Sequence, residues 1–485
     1  MPIALIGHDT LERSFVRWIM ASALPTGPSS PWWWQLGRLI ADPIGFLKFC
    51  QGQWGDRFTL RLLGSGSPPL VFLSNPDDVG EVFGKVAGSL EFGKVTQVFL
   101  PLVGSQSLIM QQGDRHLRQR QLIMPAFLRE SLARQSELIA QVTRQQMASW
   151  TIGDAIDIRA EMSQVSLRVI LEVVFGLVPG VRYERLRSLL SVLLDQITDP
   201  LYSVQFFLPP LQNNFAPWSP WGKFQALMAE IDSLVYAEIH DRRSIPNPEA
   251  NPSNRSDVLS ILMAAQDENG VGMPDTELRD NLMTLLLLGH ETTASSLAWA
   301  FYWVHCDPEI LKRLRSEISP ILQDAVLLGE QPFLGAVCQE SLRICPIALI
   351  AQPRRVRDEI QVGEITYASG TVLIPCVLTA QGRVETYGDP QIFRPDRFLE
   401  RKFGRGEFFP FGGGSRSCVG MALSMLEMKV VLATVLGRCE FESNLMEPVK
   451  AVRRGITFVP PDRFRLTVVR TIDPSLEHPE IDRLS

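Results

Sequence analysis

The sequence predicts a mainly α-helical protein with a minor β part, on three observations. Residues 114–306 carry mostly helical periodicity, β-like alternation is confined to the two ends of the chain, and one helical run, 274–306, is long enough to cross a whole domain. In order, a Pro-rich segment at 24–31 precedes Asp56-Arg57-Phe58-Thr59-Leu60-Arg61-Leu62, which alternates apolar and polar residues; with 68–73 beyond a Gly-Ser turn it reads as a hairpin. The helical middle is interrupted at Gly153, Pro179, Pro209, Pro210, Pro217 and 246–256, with 247–254 a surface loop. Asp275 or Thr276 is placed to cap the long helix, acidic residues fill its first turn and Pro308 ends it. Its middle, 282–288, is almost wholly apolar, which assigns it to the core. Strand-like segments return at 354–378 and 455–469.

Composition narrows the function. The chain has 485 residues, 45% hydrophobic and 21% charged, as in an ordinary globular enzyme with a large core. Length alone suggests about three domains, but the motifs below argue for one spanning 24–470, with an N-terminal extension at 1–23 and a tail at 471–485. A net charge of −6 without a basic block argues against nucleic acid. The seven cysteines are odd in number and scattered, so neither a disulfide framework nor a zinc site is predicted, and a cytoplasmic setting fits. No apolar run reaches the roughly 20 residues that span a bilayer. Phe15, Trp18, Ile19 and Trp32 to Trp34 offer at most weak peripheral membrane contact, with packing against the body preferred.

Two constellations carry chemistry. In Phe411-Gly412-Gly413-Gly414-Ser415-Arg416-Ser417-Cys418-Val419-Gly420, one cysteine sits among glycines and an arginine just before an apolar helical run. A thiolate on heme iron needs backbone N–H groups turned toward sulfur, and glycine reaches the required φ/ψ without a Cβ clash. Arg416 offers a bidentate hydrogen bond to a heme carboxylate. A Gly-rich turn around a structural cysteine is the alternative. The second constellation is Gly289-His290-Glu291-Thr292-Thr293, a carboxylate and hydroxyls inside a helix assigned to the core, where polar groups are costly. A carboxyl beside a hydroxyl relays protons to a bound oxygen, and Gly289 lets the helix approach a flat cofactor. The alternative has both threonines bonded back to helix carbonyls and Glu291 paired with a buried cation.

From Phe411 to Gly420 the spacing resembles the heme-binding signature of the cytochrome P450 family, which places Phe411, Arg416 and Gly420 at the cofactor and Cys418 on the iron. Gly289, Glu291 and Thr292 resemble that family's oxygen-activating motif. Leu288, where Ala or Gly is usual, departs from it and narrows the expected pocket. Glu340-x-x-Arg343 and the segment 393–398 with Arg397 resemble its structural ion triad, and the motifs follow in the family's order. The resemblance further implies that His116 (in place of the usual Trp), Arg120, Arg354 and Arg416 meet the propionates of heme b, with Arg355 a competitor for Arg354. It implies a long central helix and a cysteine loop sandwiching the heme. The chemistry implied is insertion of one oxygen atom from O2, as hydroxylation or epoxidation.

No FAD, FMN or NAD fingerprint is visible, so two electrons must come from a ferredoxin or flavodoxin with its reductase. Lys402, Arg405, Lys429, Arg115, Arg118 and Arg129 are candidates for the docking face. Segments resembling the family's substrate-recognition regions (98–108, 202–211, 285–289, 348–350 and 456–458) are mostly aliphatic or Phe, which implies a long-chain fatty acid, alkane or terpenoid. A peroxide-using peroxygenase or a hydroperoxide-rearranging enzyme is the alternative reaction class.

Overall fold

The structure is a computed structural model. It describes residues 24–472 except 63, 65, 93, 200–201, 203–204, 207–208, 213–217, 245–256, 445–448, 455–456 and 462–463. The loop expected at 247–254, the residues Phe15, Trp18 and Ile19, much of 202–211, Ile456 and the tail beyond 472 lie outside the described residues.

In chain order the helices used below are α1 (Trp32–Ala41), α2 (Pro43–Trp54), α3 (Pro76–Phe83), α4 (Gly113–Ile123), α5 (Arg129–Met147), α6 (Ile158–Val169), α7 (Val181–Thr198), α8 (Pro220–Ser244), α9 (Asp275–Cys306), α10 (Pro332–Ile344) and α11 (Met421–Arg438). The strands are β1 (Arg57–Leu60), β2 (Leu70–Leu73), β3 (Leu90–Phe92), β4 (Ala155–Ile156), β5 (Arg354–Val356), β6 (Ile360–Val362), β7 (Ile365–Tyr367), β8 (Val372–Pro375), β9 (Cys439–Ser443), β10 (Val452–Arg454), β11 (Thr457–Val459) and β12 (Leu466–Thr471). Helices dominate and strands are short, as the sequence predicts.

The chain divides into two compact units. The first comprises residues 1–95, 348–391 and 403–417. Its five-stranded sheet runs β1-β2-β8-β5-β3. The predicted hairpin is there, β1 antiparallel to β2 with Phe58 opposite Phe72, and the alternation puts Phe58 and Leu60 in the interior. β2 pairs in parallel with β8, Leu70 opposite Val372, so this sheet closes only across a long excursion of the chain. Val71, Leu73, Val79, Val82, Phe83, Val356, Leu373 and Phe409 form its core. The Trp run packs only in part: Trp33 is 61% exposed and Trp32 43%, and among the described residues Trp34 alone of the three meets a neighbour ring, Phe46 edge-on at 6.0 Å. Among the described residues no helix is long and apolar enough to cross a membrane.

The second unit comprises residues 96–347, 392–402 and 418–485. Its axis is α9, 32 residues and therefore about 48 Å long. The helix starts one residue earlier than a side-chain cap would require: Pro274 holds the N-cap position and no side chain caps it, so Asp275 and Glu277 act on the first turn through the helix dipole instead. α6, α8, α10 and α11 pack around it, and two small sheets, β4-β12-β9 and β10-β11, complete the unit.

Candidate active site

In the second unit, Cys418 stands just before α11, with Gly420 at the N-cap. Its Sγ accepts hydrogen bonds from the backbone N–H groups of Gly420 and Met421, so the sulfur lies at the positive end of an 18-residue helix. Burial pushes the thiol above its ordinary value, against the pull of those N–H groups and of the Arg120 charge, while the residue keeps exposed surface. Cys418, an exposed residue with two backbone N–H groups directed at its sulfur, is thus not a core hydrophobe. Arg120, on α4, is half-buried; desolvation lowers its pKa, and Cys418 opposes the shift. His116, one turn earlier, is buried.

α9 is buried nearly throughout, yet Leu285, Leu288, Gly289 and Thr292 keep accessible surface. Their i, i+3, i+4, i+7 spacing puts them on one stripe. Among the described residues a Cβ at Gly289 would meet only Ile170 Cδ1, at 3.7 Å, an ordinary van der Waals contact that does not force glycine there. Thr292 Oγ1 donates to the Leu288 carbonyl at 2.6 Å, and Thr293 Oγ1 meets Ser424 Oγ of α11 at 3.1 Å. Glu291 Oε1 lies 3.3 Å from Arg454 Nε on β10. Burial raises the Glu291 pKa, opposed by the charges of Arg454 and Arg159. The alternative weighed for this motif thus describes Thr292 and Glu291 at rest, though not Thr293. His290, also buried, bonds through Nε2 to Ser163, and desolvation drops its pKa to about 4, so it is neutral.

The Glu340 triad closes within the same unit. Glu340 accepts from Arg343 Nε at 2.7 Å and Nη2 at 2.8 Å, from Arg397 Nε at 3.0 Å and from the Arg394 N–H at 2.9 Å, and all three triad side chains are at most 3% exposed. Two candidates for a cationic docking face are committed elsewhere. Arg118 is tied to Asp267 at 2.7 Å and Glu277 at 3.4 Å, and Lys429 Nζ to the Gly329 carbonyl. Arg115, Lys402 and Arg405 are exposed.

In the first unit, the cysteine loop runs through Gly412 at φ 67° and Gly414 at φ 71°, left-handed values that favour glycine. A Cβ at Gly413 would stand 2.3 Å from the Phe83 ring, so the loop needs glycine there for close approach. Phe411 is half-buried. On β5, Arg354 is 3% exposed; it donates to the Gln352 carbonyl at 3.1 Å and the Gly413 carbonyl at 3.0 Å and lies over Phe83 at 4.7 Å. No carboxylate among the described residues pairs with it. Desolvation, reinforced by the neighbouring charge of Arg416, brings its pKa down to about 10. Arg355 points the other way, half-exposed and 3.5 Å from Glu91. A buried guanidinium beside a second cation, without an anion, fits a carboxylate-bearing cofactor.

The profile described as cytochrome P450 matches residues 25–468. The chain belongs to the cytochrome P450 family. It is 32% identical over 457 residues to putative cytochrome P450 135B1 of Mycobacterium tuberculosis (strain ATCC 25618 / H37Rv), covering 93% of each chain. To putative cytochrome P450 135A1 of the same organism it is 31% identical over 449 residues, covering 91% of this chain and 94% of the relative. Among solved structures, retinoic acid-bound cyanobacterial CYP120A1 superposes with a TM-score of 0.75 at 22% identity, covering 93% of this chain and all of that one. The cytochrome P450DA heme domain gives 0.76 at 19%, covering 94% and 99%. As a cytochrome P450, the protein is a heme-thiolate monooxygenase that binds heme b through a cysteine thiolate and uses O2, a substrate and a redox partner.

Sequence reasoning missed four groups that the P450 fold gathers near these motifs: Arg454 and Arg159 beside Glu291, Ser424 on Thr293, and Glu427, buried on α11 with its pKa pushed up to about 8. Glu427 was findable. It is a lone carboxylate in the apolar run after Cys418, the same signal that drew attention to Glu291.

Proposed function

We propose that Cys418 is the axial ligand of the heme and that the enzyme hydroxylates or epoxidises an apolar substrate, a long-chain fatty acid, alkane or terpenoid. The observation that carries this reading is the exposed residue Cys418, its sulfur receiving two backbone N–H bonds at a helix N-terminus. When bound, heme b supplies dioxygen activation, with thiolate donation favouring O–O cleavage. His116, Arg120, Arg354 and Arg416 are the groups assigned to its propionates; Phe411 and Gly420 shape the ligand loop, and Gly289 leaves room on α9. Glu340, Arg343 and Arg397 hold the fold.

Glu291 and Thr292 together relay protons from water. The raised pKa keeps a proton on the Glu291 carboxyl above the pH at which a free one loses it, which suits a general acid, and the Arg454 contact limits that rise. Thr292 must turn its hydroxyl from the Leu288 carbonyl to deliver the proton. Electrons come from a ferredoxin or flavodoxin with its reductase, for which Arg115, Lys402 and Arg405 are exposed candidate contacts. A cytoplasmic location completes the reading.

Cys418→Ser should abolish the thiolate-type carbon-monoxide difference spectrum and reduce oxygenation to background; an unchanged spectrum would remove the ligand assignment. A peroxide-using enzyme draws support from one observation, that Thr292 and Glu291 are both engaged within the chain at rest. Turnover under ¹⁸O2 with ferredoxin and reductase separates the two: label in the product supports oxygen activation, and label only from added peroxide supports the second reading.

A further inference from the structure

The first turns of α9 hold a buried polar network that the oxygen chemistry does not use. Asp280 Oδ2 accepts the Gln106 N–H at 2.8 Å, Asn281 Oδ1 accepts the Leu108 N–H at 3.0 Å, and Ser107 Oγ lies 2.6 Å from Thr284 Oγ1. Thr284 already donates to the Asp280 carbonyl at 2.6 Å, so Ser107 is the donor between the two hydroxyls. From the other side, Gln119 Nε2 of α4 donates to the Gln106 carbonyl at 2.6 Å. Three consecutive residues of the loop are therefore tied to helix side chains. The fit also depends on Gly104: its φ is +82°, and a Cβ there would stand 2.2 Å from the Asp280 carboxylate.

Asp280 does not stand alone. Its Oδ1 takes a hydrogen bond from Arg279 Nη1 at 2.9 Å, and Arg279 Nη2 reaches Asp232 of α8 at 2.6 Å. Arg279 and Asp280 are less than a tenth exposed, and Asp232 about a third. A buried ion pair of this kind contributes less to net stability than to fixing one arrangement, because its desolvation cost is met only when every partner is in place. One cation thus bridges a carboxylate on α8 and the carboxylate that holds the loop.

We propose that Asp232, Arg279 and Asp280 form a lock through which the position of α8 sets the hold on loop 104–108, making Arg279 and Asp280 positioning residues for substrate selectivity. The selectivity clause rests on the reading that 98–108 lines the substrate pocket; the mechanical clause does not. The Asp280 carboxylate accepts from two directions, and loss of the Asp232 charge leaves Arg279 free to swing away from it. Asp280 then loses the donor that orients its carboxylate, and its hold on the Gln106 N–H weakens without any change at the loop itself.

Amide hydrogen exchange on the purified holoenzyme, without substrate, tests the lock. D280N should speed exchange at Gln106 by about tenfold or more, the scale of a weakened charge-assisted hydrogen bond. D232N, a substitution at a partly exposed site on α8, should speed it by roughly threefold. The double variant should match D280N alone, because both changes act along one connection. Unchanged exchange at Gln106 and Leu108 in D232N overturns the proposal, as does full additivity in the double variant or acceleration spread evenly over the protein. Should D280N not fold, D232N carries the test, with S107A as a control that loosens the loop without touching the ion pair. In turnover, D232N should raise KM with kcat little changed. A fault in the heme-thiolate reading would show in the carbon-monoxide spectrum and leave the exchange result standing.

Discussion

Two of the buried guanidinium groupings among the described residues are of opposite character. Around Glu340, two arginines and a backbone N–H saturate one carboxylate within hydrogen-bond distance. Around Arg354, two carbonyl oxygens and aromatic faces supply dipoles but no counter-charge, and a second arginine stands nearby. The first is complete as the chain folds; in the second, no carboxylate among the described residues pairs with Arg354. Burial alone therefore does not separate a structural charge from a binding one, whereas the account of opposite charge around it does.

Breaking the closed cluster should have the largest effect. Glu340→Ala removes the carboxylate that two buried cations share and should cost about 3–5 kcal/mol in urea unfolding, with or without heme; a loss below about 1 kcal/mol would mean the triad is no more than a surface-type pair. Glu427 sharpens the contrast as a buried carboxylate with no cation to hold it ionised. Its pKa of about 8 lies above the ordinary 4.5, so the folded state binds the extra proton. The Glu427 contribution to stability should be full below pH 4.5 and fall as pH rises toward about 8, with a slope approaching about 1.4 kcal/mol per pH unit. Glu427→Gln should flatten that slope, and an unaltered profile would place the titration elsewhere.

Arg354→Gln tests the open cluster. Apo stability should change by less than about 1 kcal/mol, while heme affinity falls about ten- to a hundredfold; heme transfer to apomyoglobin gives the measurement, and unchanged retention would remove the arginine from the cofactor's partners. The smallest effect on the fold belongs to Thr292→Ala, which removes only a bond to a helix carbonyl. Its melting temperature should stay within about 2 °C while peroxide release per electron pair rises severalfold; unchanged coupling would take Thr292 out of the relay.

The elements legible in the sequence are those whose partners lie close along the chain or repeat a pattern. The β1–β2 alternation, the apolar run of α9 and the order of motifs from Glu340 to Cys418 are of this kind. What escaped is set by long-range pairing. Nothing in the sequence couples Glu291 to Arg454, or Asp280 to a loop near Gln106, because those contacts exist only after helices have packed. Basic residues misled for the same reason: Arg118 and Lys429 look like free surface charges until the acids and carbonyls that hold them are brought alongside. The Trp32 to Trp34 run erred in the other direction, since apolar type argues for packing but the placement of α1 leaves Trp33 largely in the open.

The parallel pairing of β2 with β8 has a consequence for biosynthesis. About 300 residues separate the two strands, so at about 5–20 residues per second a ribosome needs on the order of half a minute to deliver the second. Through that interval β2 can pair with β1 on one side only, and its β8-facing Leu-Val-Phe-Leu edge stays open, an exposed apolar edge being an aggregation template. Chaperone supply and slower growth should therefore govern the yield of intact enzyme more than the stability of the finished fold.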